Sequence, residues 1–408
     1  MGFVIYLDHN ATTPILPEVL EAMMPYLTTE WGNPSSAYKF GAKLRSIIAT
    51  AREQVAELIG AHSLDIIFTS CGTESNNTAI TAALKANPGK RHIVTSQVEH
   101  SSVLNYCMAL SSGGFTPPPG ARSGGFTSTD GGVKPPLRET TDAYRVTYLP
   151  VDRDGLLKLG DLEAAITDQT AVVSLMWANN ETGVLFPVER IAEICRSRGV
   201  LYHCDAVQAA GKVAIDVRKV PADYLSLTGH KFHAPKGIGA LYVRRKAPFS
   251  PLIYGGHQER NRRGGTESIP LIVGMGKAAE LAFKHLPDYE KKVRPLRDEL
   301  EERILSSIPD TELNGHRTQR LANTANITFE GIESEALLIM LDKGGVCASS
   351  GSACLADSDE PSHVIKAMKP DSAASRQMVR FSVGEDTGEP SIVVALAAVR
   401  SAAAALRV

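Results

Sequence analysis

Short apolar segments alternate with longer amphipathic segments along most of the chain, and this alternation limits the possible folds more than any other feature. The apolar segments are rich in β-branched residues, which is typical of buried strands, whereas the segments between them carry apolar residues at helical spacings of three and four. The alternation predicts an α/β fold with a mostly parallel sheet covered by helices on both faces. The predicted strands are 65–69, 92–95, 145–149, 171–175, 200–204, 223–227 and 239–243, and the predicted helices include 36–59, 74–85 and 188–198.

The pattern changes after residue 267, so we expect two domains in the 408 residues. A large α/β domain is predicted over 15–267, and a smaller α+β domain is predicted from 1–14 together with 268–408. The N-terminal segment 4–7 is expected to join the smaller sheet, because so short a strand is not stable alone. The smaller domain is predicted to contain helices 285–308 and 334–343 and strands 323–329 and 378–383.

Residues 111–140 interrupt the alternation with seven Gly and five Pro, and the sequence SGGFT occurs there twice. Such a composition buries too little apolar surface to offset its ordering entropy, so we predict a flexible surface insertion. A tolerated insertion is the ordinary interpretation, and a recognition loop is the alternative.

Charge and cysteine content exclude several classes of protein. The 43 Lys and Arg against 45 Asp and Glu give a net charge of −2, without the basic excess that nucleic-acid binding requires. No apolar run approaches the ~20 residues of a membrane-spanning helix, and no signal-peptide pattern opens the chain, so a soluble, cytoplasmic protein is expected. The six cysteines form no CxxC pair, which favours free thiols over disulfides or a structural metal site.

Three segments carry side chains suited to one cofactor. The turn TSCGTE (69–74) opens a helix, where backbone N–H groups and the helix dipole attract an anion, although small residues also occur in ordinary turns. Asp205 and Lys231 each follow a predicted strand at the sheet edge where α/β folds bind ligands. A helix N-cap is the alternative for Asp205, and Lys236 is the alternative to Lys231. Together, the anion site, the carboxylate and the lysine predict pyridoxal phosphate, whereas no early GxGxxG supports a nicotinamide cofactor.

At these residues the chain resembles the cysteine desulfurases of the NifS/IscS type, in the class V aminotransferase group of fold-type-I pyridoxal-phosphate enzymes. The resemblance covers nearly the whole chain except 111–140 and the C-terminal end. It is carried by YLDHNATTP (6–14), WGNPSS (31–36), FTSCGTESNN (68–77), VEHSS (98–102), MWANNETG (176–183), HCDAVQ (203–208), TGHKFHAPKGIGALYV (228–243), GGHQERNRRGGTES (255–268), LANTANITF (321–329), ASSGSAC (348–354) and VRFSVG (379–384).

The resemblance implies a role for each residue at a matching position. Lys231 is implied as the Schiff-base lysine, His100 as the residue that stacks on the ring and assists proton transfer, and Cys354 as the nucleophile. The implied cofactor contacts are Gly72, Thr73, Thr228 and His230 to the phosphate, Asp205 to the pyridine nitrogen, and Gln208 and Asn180 to the ring substituents. Arg380 and Asn180 are implied to bind the substrate, and a surface ion pair is the alternative for Arg380. Thr266 corresponds to a residue that reaches the phosphate of a partner's site, which implies a homodimer.

Two other thiols compete with Cys354 as the nucleophile. Cys354 lies in a polar segment, where a thiol can reach a bound substrate and then move outward. Cys347 ends an apolar run and is expected to be packed and inert. Cys71 lies at a predicted helix N-terminus, a position that can make a thiol reactive, but the cofactor phosphate is expected to occupy that site.

The reaction implied by the resemblance converts L-cysteine to L-alanine and leaves a persulfide on Cys354. Its sulfur is expected to pass to an acceptor such as a scaffold protein for iron–sulfur clusters. Selenocysteine lyase on the same scaffold is an alternative, supported by Tyr38 in place of a histidine common in relatives and by the segment 261–267. A non-catalytic sulfur-assembly scaffold is the alternative from another class. A second departure from the family is EDTGEP at 385–390, where relatives often have a basic residue and paired threonines.

Overall fold

The computed structural model describes residues 4–112, 143–351 and 360–407. The strands, in chain order, are β1 Ile5–Tyr6, β2 Ile66–Thr69, β3 His92–Ser96, β4 Arg145–Leu149, β5 Thr170–Met176, β6 Leu201–Asp205, β7 Tyr224–Thr228, β8 Gly239–Val243, β9 Thr311–Leu313, β10 Thr324–Phe329, β11 Val346–Cys347 and β12 Met378–Ser382. The helices are α1 Pro17–Thr28, α2 Lys39–Ala42, α3 Leu44–Leu58, α4 Gly72–Ala86, α5 Ser101–Ser111, α6 Leu159–Ala165, α7 Val188–Ser197, α8 Gln258–Asn261, α9 Ile269–Ser307, α10 Ser334–Lys343, α11 His363–Met368 and α12 Glu389–Ala405.

Seven strands form the large sheet, in the order β2-β8-β7-β6-β5-β3-β4. Six of them run in the same direction, and β8 is antiparallel to both of its neighbours. The predicted α/β fold with a mostly parallel seven-stranded sheet is therefore confirmed. All seven predicted strands are present, and their ends differ from the prediction by one residue at most.

Two layers of helices cover this sheet, which explains why its strands are apolar throughout. In β5, Val172 packs in a cluster with residues of α4 and α5, whereas Val173 packs in a cluster with residues of α3, α7 and α9. Ala240 and Leu241 of β8 divide between the same two clusters. Successive side chains of a strand point to opposite faces, so both faces of this sheet need apolar residues.

A three-stranded antiparallel sheet, β12-β10-β9, lies in the C-terminal part of the chain with a hydrophobic cluster of its own. The N-terminal segment does not join this sheet as a strand, which corrects the prediction for residues 4–7. Instead, β1 pairs in parallel with β11, because the β1 side chain Ile5 and the adjoining Leu7 pack in that cluster beside Val346. Among the described residues, a single bridge, from Asp8 to Ser382, connects the N-terminal segment to β12.

The long helix α9 begins at Ile269, sixteen residues before the predicted start at 285. Its N-terminal part packs Ile272 and Met275 against the large sheet, and its C-terminal part packs Val293 and Leu300 in the second cluster. The two internal prolines, Pro287 and Pro295, do not end the helix in the structure. The chain thus passes from one cluster to the other within α9, and the predicted domain division at 267 stays a prediction.

A second correction concerns the predicted helix 36–59, which is two helices. Ser36 donates its N–H to the Asn33 carbonyl at 3.1 Å in a turn, so α2 begins only at Lys39. Lys43 separates α2 from α3. The other predicted helices lie at 72–86 and 188–197, close to their expected bounds.

The two ends of the Gly/Pro-rich segment meet. Helix α5 ends at Ser111, and the backbone N–H of Tyr144, just before β4, donates to the Leu110 carbonyl at 3.1 Å. Residues 113–140 of the predicted insertion lie outside the described residues. In the part of the chain that is described, we find no helix with the length and apolar character needed to span a bilayer.

Candidate functional site

A cavity of about 170 Å³ opens at the carboxyl edge of the large sheet, where β5, β6 and β7 end. It collects side chains from segments far apart in the sequence. Its lining includes the predicted residues Gly72, Thr73, His100, Asn180, Asp205, Gln208, Thr228, His230, Lys231 and Arg380. Of the other predicted residues, Thr266 does not line it, and Cys354 lies outside the described residues.

Helix α4 directs its N-terminus at the cavity through Gly72 and Thr73. Cys71 at the N-cap makes no side-chain capping hydrogen bond, so backbone N–H groups of the first turn remain for a ligand. Gly72 approaches its neighbours so closely that a Cβ there would lie 2.9 Å from a methyl carbon of Val207. This end of the cavity is therefore suited to a phosphate group.

Asp205 ends β6 and presents a buried carboxylate to the cavity. Its Oδ1 accepts the Val207 N–H at 3.0 Å, and its Oδ2 accepts from Asn76 Nδ2 at 2.7 Å. Burial raises the pKa of Asp205, while these two hydrogen bonds and the charge on Lys231 act in the opposite direction. A cationic N–H group placed in the cavity would compensate this buried carboxylate.

Lys231 lies in the single turn Gly229–Lys231 that follows β7, at the sheet edge predicted from the sequence. Its Nζ donates to the Asn10 carbonyl and, at 2.7 Å, to the Ala11 carbonyl. The alternative, Lys236, is exposed and does not line the cavity. His230 beside it hydrogen-bonds to Thr12 Oγ1 at 3.2 Å, and burial lowers its pKa to about 3, so its ring is neutral at ordinary pH.

His100 caps the N-terminus of α5 and faces the cavity. The backbone N–H of Ser102 donates to His100 Nδ1 at 3.1 Å, so the neutral ring carries its hydrogen on Nε2. Burial and the nearby charges of Lys231 and His363 lower the pKa of His100 to about 4. The ring is therefore uncharged near neutral pH, as a group that stacks on an aromatic cofactor should be.

Arg380 is 1% exposed, which corrects the alternative of a surface ion pair. Its Nη2 donates to Asp8 Oδ1 at 2.6 Å, and its Nη1 donates to the carbonyls of Asn180 at 3.0 Å and Gly351 at 2.9 Å. Its Nε has no hydrogen-bond partner among the described residues. A buried guanidinium with an unused donor at a cavity is suited to bind a carboxylate ligand.

Glu99 lies behind the cavity wall and is fully buried. Its Oε1 accepts from Ser96 Oγ at 2.7 Å and from the Met176 N–H at 3.1 Å, whereas Oε2 has no partner within the described residues. Burial, with a contribution from the charge on Asp205, raises the pKa of Glu99 to about 8. The carboxyl is therefore protonated in the fold at neutral pH.

Glu99→Gln is expected to flatten the pH dependence of stability. Between about pH 4.5 and 8 the unfolded chain loses the Glu99 proton while the folded chain keeps it, so the free energy of unfolding falls as pH rises, by at most about 1.4 kcal/mol per pH unit from this group. Glutamine cannot titrate, so this decline should disappear. Urea unfolding at a series of pH values measures it, and an unchanged slope would show that Glu99 is ionised in the fold.

The structure does not test the roles predicted for Thr266 and Cys354. Thr266 is exposed in the segment before α9 and is not part of the cavity lining. Cys354 lies outside the described residues, in the gap 352–359. Cys347 is half-buried on β11, and burial together with the charges of Asp342 and Asp8 raises the pKa of its thiol.

The structure adds Asn10 and Asn76 to the predicted site. Asn10 lies in the N-terminal motif, and its carbonyl accepts from Gln208 Nε2 at 2.9 Å as well as from Lys231. Asn76 follows Gly72 by four residues, and this helical spacing could have identified it as a residue on the same side of α4.

The segment 385–390, where the sequence departs from the family pattern, makes local contacts. Asp386 accepts from His9 Nε2 at 2.8 Å, and Glu385 pairs with Lys292 at 3.2 Å. His9 thereby lies between the small sheet and Asn10. The hydrogen bond with His9 lowers the pKa of the Asp386 carboxyl. Tyr38, the other departure, is exposed and lies outside the cavity lining.

Comparison with known sequences identifies a matching protein family. The family model of class-V aminotransferases matches residues 5–116 and 136–391, so the gap in the match falls within the Gly/Pro-rich segment. A cysteine desulfurase of Trichormus azollae is 52% identical over 389 residues, which cover 95% of this chain and 90% of that protein. The cysteine desulfurase NifS of Azotobacter vinelandii is 46% identical over the same shares of the two chains.

Solved structures show the same fold. A NifS-like protein superposes with a TM-score of 0.85 at 32% sequence identity, covering 98% of this chain and 99% of that one. The protein SspA in complex with cysteine superposes with a TM-score of 0.76 at 34% identity, covering 93% of this chain and 99% of that one.

Proposed function

The chain belongs to the class-V aminotransferase family, among the cysteine desulfurases, and on this premise we propose that it converts L-cysteine to L-alanine with pyridoxal phosphate as cofactor. The observation that carries the proposal is the single cavity that joins the N-terminus of α4, the carboxylate of Asp205 and the amine of Lys231. These three groups match the phosphate, the ring nitrogen and the aldehyde of that cofactor.

The cavity residues fit the cofactor on further grounds. Gly72 leaves room at the helix N-terminus that a side chain would fill, and Thr73, Thr228 and His230 surround that end. Asn180 Oδ1 is buried there without a hydrogen-bond partner among the described residues, so a ligand donor would satisfy it. We assign the ring substituents to Gln208 and Asn180, and the ring face to the neutral His100. When bound, the cofactor supplies a ring that withdraws electrons from the substrate.

The protein's own residues would bind the substrate and transfer protons. Arg380 would hold the substrate carboxylate with its unused Nε donor while Asp8 fixes the guanidinium. Lys231 Nζ lies in the cavity lining and would move protons at the substrate carbon. Asp205 would hold the ring nitrogen, and a positive charge on that nitrogen would offset the effect of burial on the pKa of Asp205.

We assign sulfur transfer to Cys354, on the strength of its position in the ASSGSAC motif. The Cys354 thiolate attacks the substrate sulfur, the carbon–sulfur bond breaks, and a sulfur–sulfur bond forms. The substrate carbon takes up a proton to give L-alanine, and Cys354 keeps the sulfur as a persulfide. The persulfide then passes its terminal sulfur to an acceptor, for which we propose a scaffold protein that assembles iron–sulfur clusters.

Arg380→Ala is expected to raise the KM for L-cysteine roughly 10- to 150-fold while cofactor binding is kept, because a charge-assisted hydrogen bond worth ~1.5–3 kcal/mol is lost. Steady-state alanine formation, together with cofactor content, measures both effects. Arg380→Lys keeps the charge without the fork of donors and should give a smaller rise. An unchanged KM in Arg380→Ala would assign the carboxylate to another residue.

We also propose that the chain acts as a homodimer in the cytoplasm. Thr266 is exposed and does not line the cavity of its own chain, in keeping with a contact to a partner's phosphate. Leu20, Met24 and Leu27 form an exposed apolar row at helical spacing on α1, a surface that a second copy could cover. All the cysteines among the described residues are free thiols, in keeping with a reducing compartment.

The function is tested by incubating the purified protein and pyridoxal phosphate with L-cysteine or L-selenocysteine. Equimolar formation of L-alanine and extra protein-bound sulfur from L-cysteine is expected. A marked preference for selenocysteine, without protein-bound sulfur from cysteine, would favour the lyase alternative. Failure to form alanine from either substrate would return the non-catalytic scaffold to consideration.

A further inference from the structure

A second lysine lies behind the cavity, and neither the cofactor nor the proposed reaction accounts for it. Lys212 is 7% exposed, and no carboxylate of the described residues lies within salt-bridge distance of its Nζ. Burial, then the charges of Lys231 and Arg380, hold the pKa of Lys212 well below its usual range. Lys369, with the same exposure, differs because its Nζ lies 2.8 Å from Glu312 Oε2. A buried lysine without a counter-charge is costly, so its contacts call for an explanation.

The contacts of Lys212 are amide oxygens of the site. Its Nζ donates to Gln208 Oε1 at 2.8 Å and to Asn10 Oδ1 at 3.4 Å. Gln208 lines the cavity, whereas Lys212 does not. Lys212 therefore acts on the cavity through another residue.

These contacts determine which way the Gln208 amide points. The Asn10 carbonyl can only accept, so Gln208 must turn its nitrogen toward it, at 2.9 Å. The Lys212 amine donates to the amide oxygen at 2.8 Å, in agreement with the orientation that the Asn10 carbonyl requires. One N–H of Gln208 Nε2 is used by Asn10, and the other remains for a ligand in the cavity.

Asn10 is held in one orientation by the same kind of constraint. Its Oδ1 accepts from Asn323 Nδ2 at 3.0 Å in addition to Lys212, and its Nδ2 donates to Thr324 Oγ1 at 2.9 Å and to the Asn180 carbonyl at 3.3 Å. Thr324 opens β10 of the small sheet. The orientation of the Gln208 amide is thus tied to the contact between the two sheets.

We propose that Lys212 is a positioning residue, which fixes the Gln208 amide so that its N–H, and not its oxygen, faces the ring of the cofactor. The inference rests on the proposed function, because the ligand of Gln208 is taken to be pyridoxal phosphate. Without Lys212 the amide oxygen would be a buried acceptor lacking its donor, and the amide would lose one of its two tethers. Gln208 would then bind the ring less well although no cavity-lining residue had changed.

The test is a double-mutant cycle on the dissociation constant of pyridoxal phosphate, measured by titration of the cofactor-free full chain. Lys212→Met, which keeps the length and volume of the side chain, should raise this constant about 10-fold. In a Gln208→Ala background the same change should raise it less than about twofold, because the residue through which Lys212 acts is gone. The full effect in both backgrounds would overturn the proposal. Lys369→Met is the matched control, a buried lysine that should leave the constant unchanged.

A second variant tests the proposal in case Lys212→Met does not fold. Lys212→Gln retains an N–H donor one atom nearer the backbone and should bind pyridoxal phosphate within about threefold of wild type, since donation and not charge is required. Loss of binding in Lys212→Gln as large as in Gln208→Ala would overturn the positioning role. Alanine formation by the wild type is measured in parallel. If it is absent, the proposed function fails, and if it is present while Lys212→Met binds the cofactor normally, only the role of Lys212 fails.

Discussion

Replacement of Lys231 by alanine is expected to abolish covalent attachment of the cofactor and to lower alanine formation by roughly 10³-fold or more, since both the attachment point and a positioned proton-transfer group are lost. Lys231 is the one lysine among the described residues that lines the cavity. Lys212 has its amine behind Gln208, and Lys236 is exposed. No other described amine is therefore placed to take over.

Borohydride reduction followed by peptide mapping measures the attachment directly. In the wild type the pyridoxyl label should fall on the peptide that contains Lys231, and it should be absent from Lys231→Ala. Lys236→Ala serves as the control, because it removes a neighbouring lysine outside the cavity and should keep both the label and the activity. A label on Lys236 or Lys212 in the wild type would refute the assignment.

Cys354→Ser is expected to retain the cofactor and to bind L-cysteine, yet to form no persulfide and to lose alanine formation by a similar factor. A hydroxyl is a far weaker nucleophile than a thiolate toward sulfur. Burial raises the pKa of Cys107 and Cys195 to about 12 and that of Cys204 further, so these thiols stay protonated. The pKa of Cys347 is raised as well.

Cys71 is the most informative control for that prediction, because it is the one described thiol that lines the cavity. Cys71→Ser should stay active and should carry extra sulfur on Cys354 after treatment with L-cysteine. Mass spectrometry of the treated proteins locates the sulfur by peptide. Sulfur on Cys71 in the wild type, or normal turnover by Cys354→Ser, would assign the nucleophile to a different residue.

The positions of residues at the ends of strands could be predicted from the sequence. Asp205 and Lys231 are adjacent to apolar runs whose ends are marked by the change to polar residues, and β4 and β8 have their predicted bounds for the same reason. Residues that act through distant contacts could not be found in this way. The pair Arg380–Asp8 joins positions 372 residues apart, and nothing local to either residue indicates the other.

The role of Asn10 could not be predicted from sequence patterns. The residue is visible in the N-terminal motif, but its contacts depend on the pairing of β1 with β11, which a two-residue strand does not specify. The start of α9 was missed for a related reason, because its first turns pack on one cluster and its last turns on another. Only the three-dimensional structure shows that one helix packs against both hydrophobic clusters.

The hydrogen bond between Tyr144 and Leu110 has a consequence for how the length of this chain can vary. Because the two ends already meet at 3.1 Å, a segment placed between them need not span any distance, and lengthening a loop costs only about 0.6 kcal/mol for each doubling. Insertions and deletions at this point should therefore cost little stability compared with those in connections within the sheet. The same geometry makes the junction a natural place to graft a reporter domain or an affinity tag inside the chain rather than at its termini.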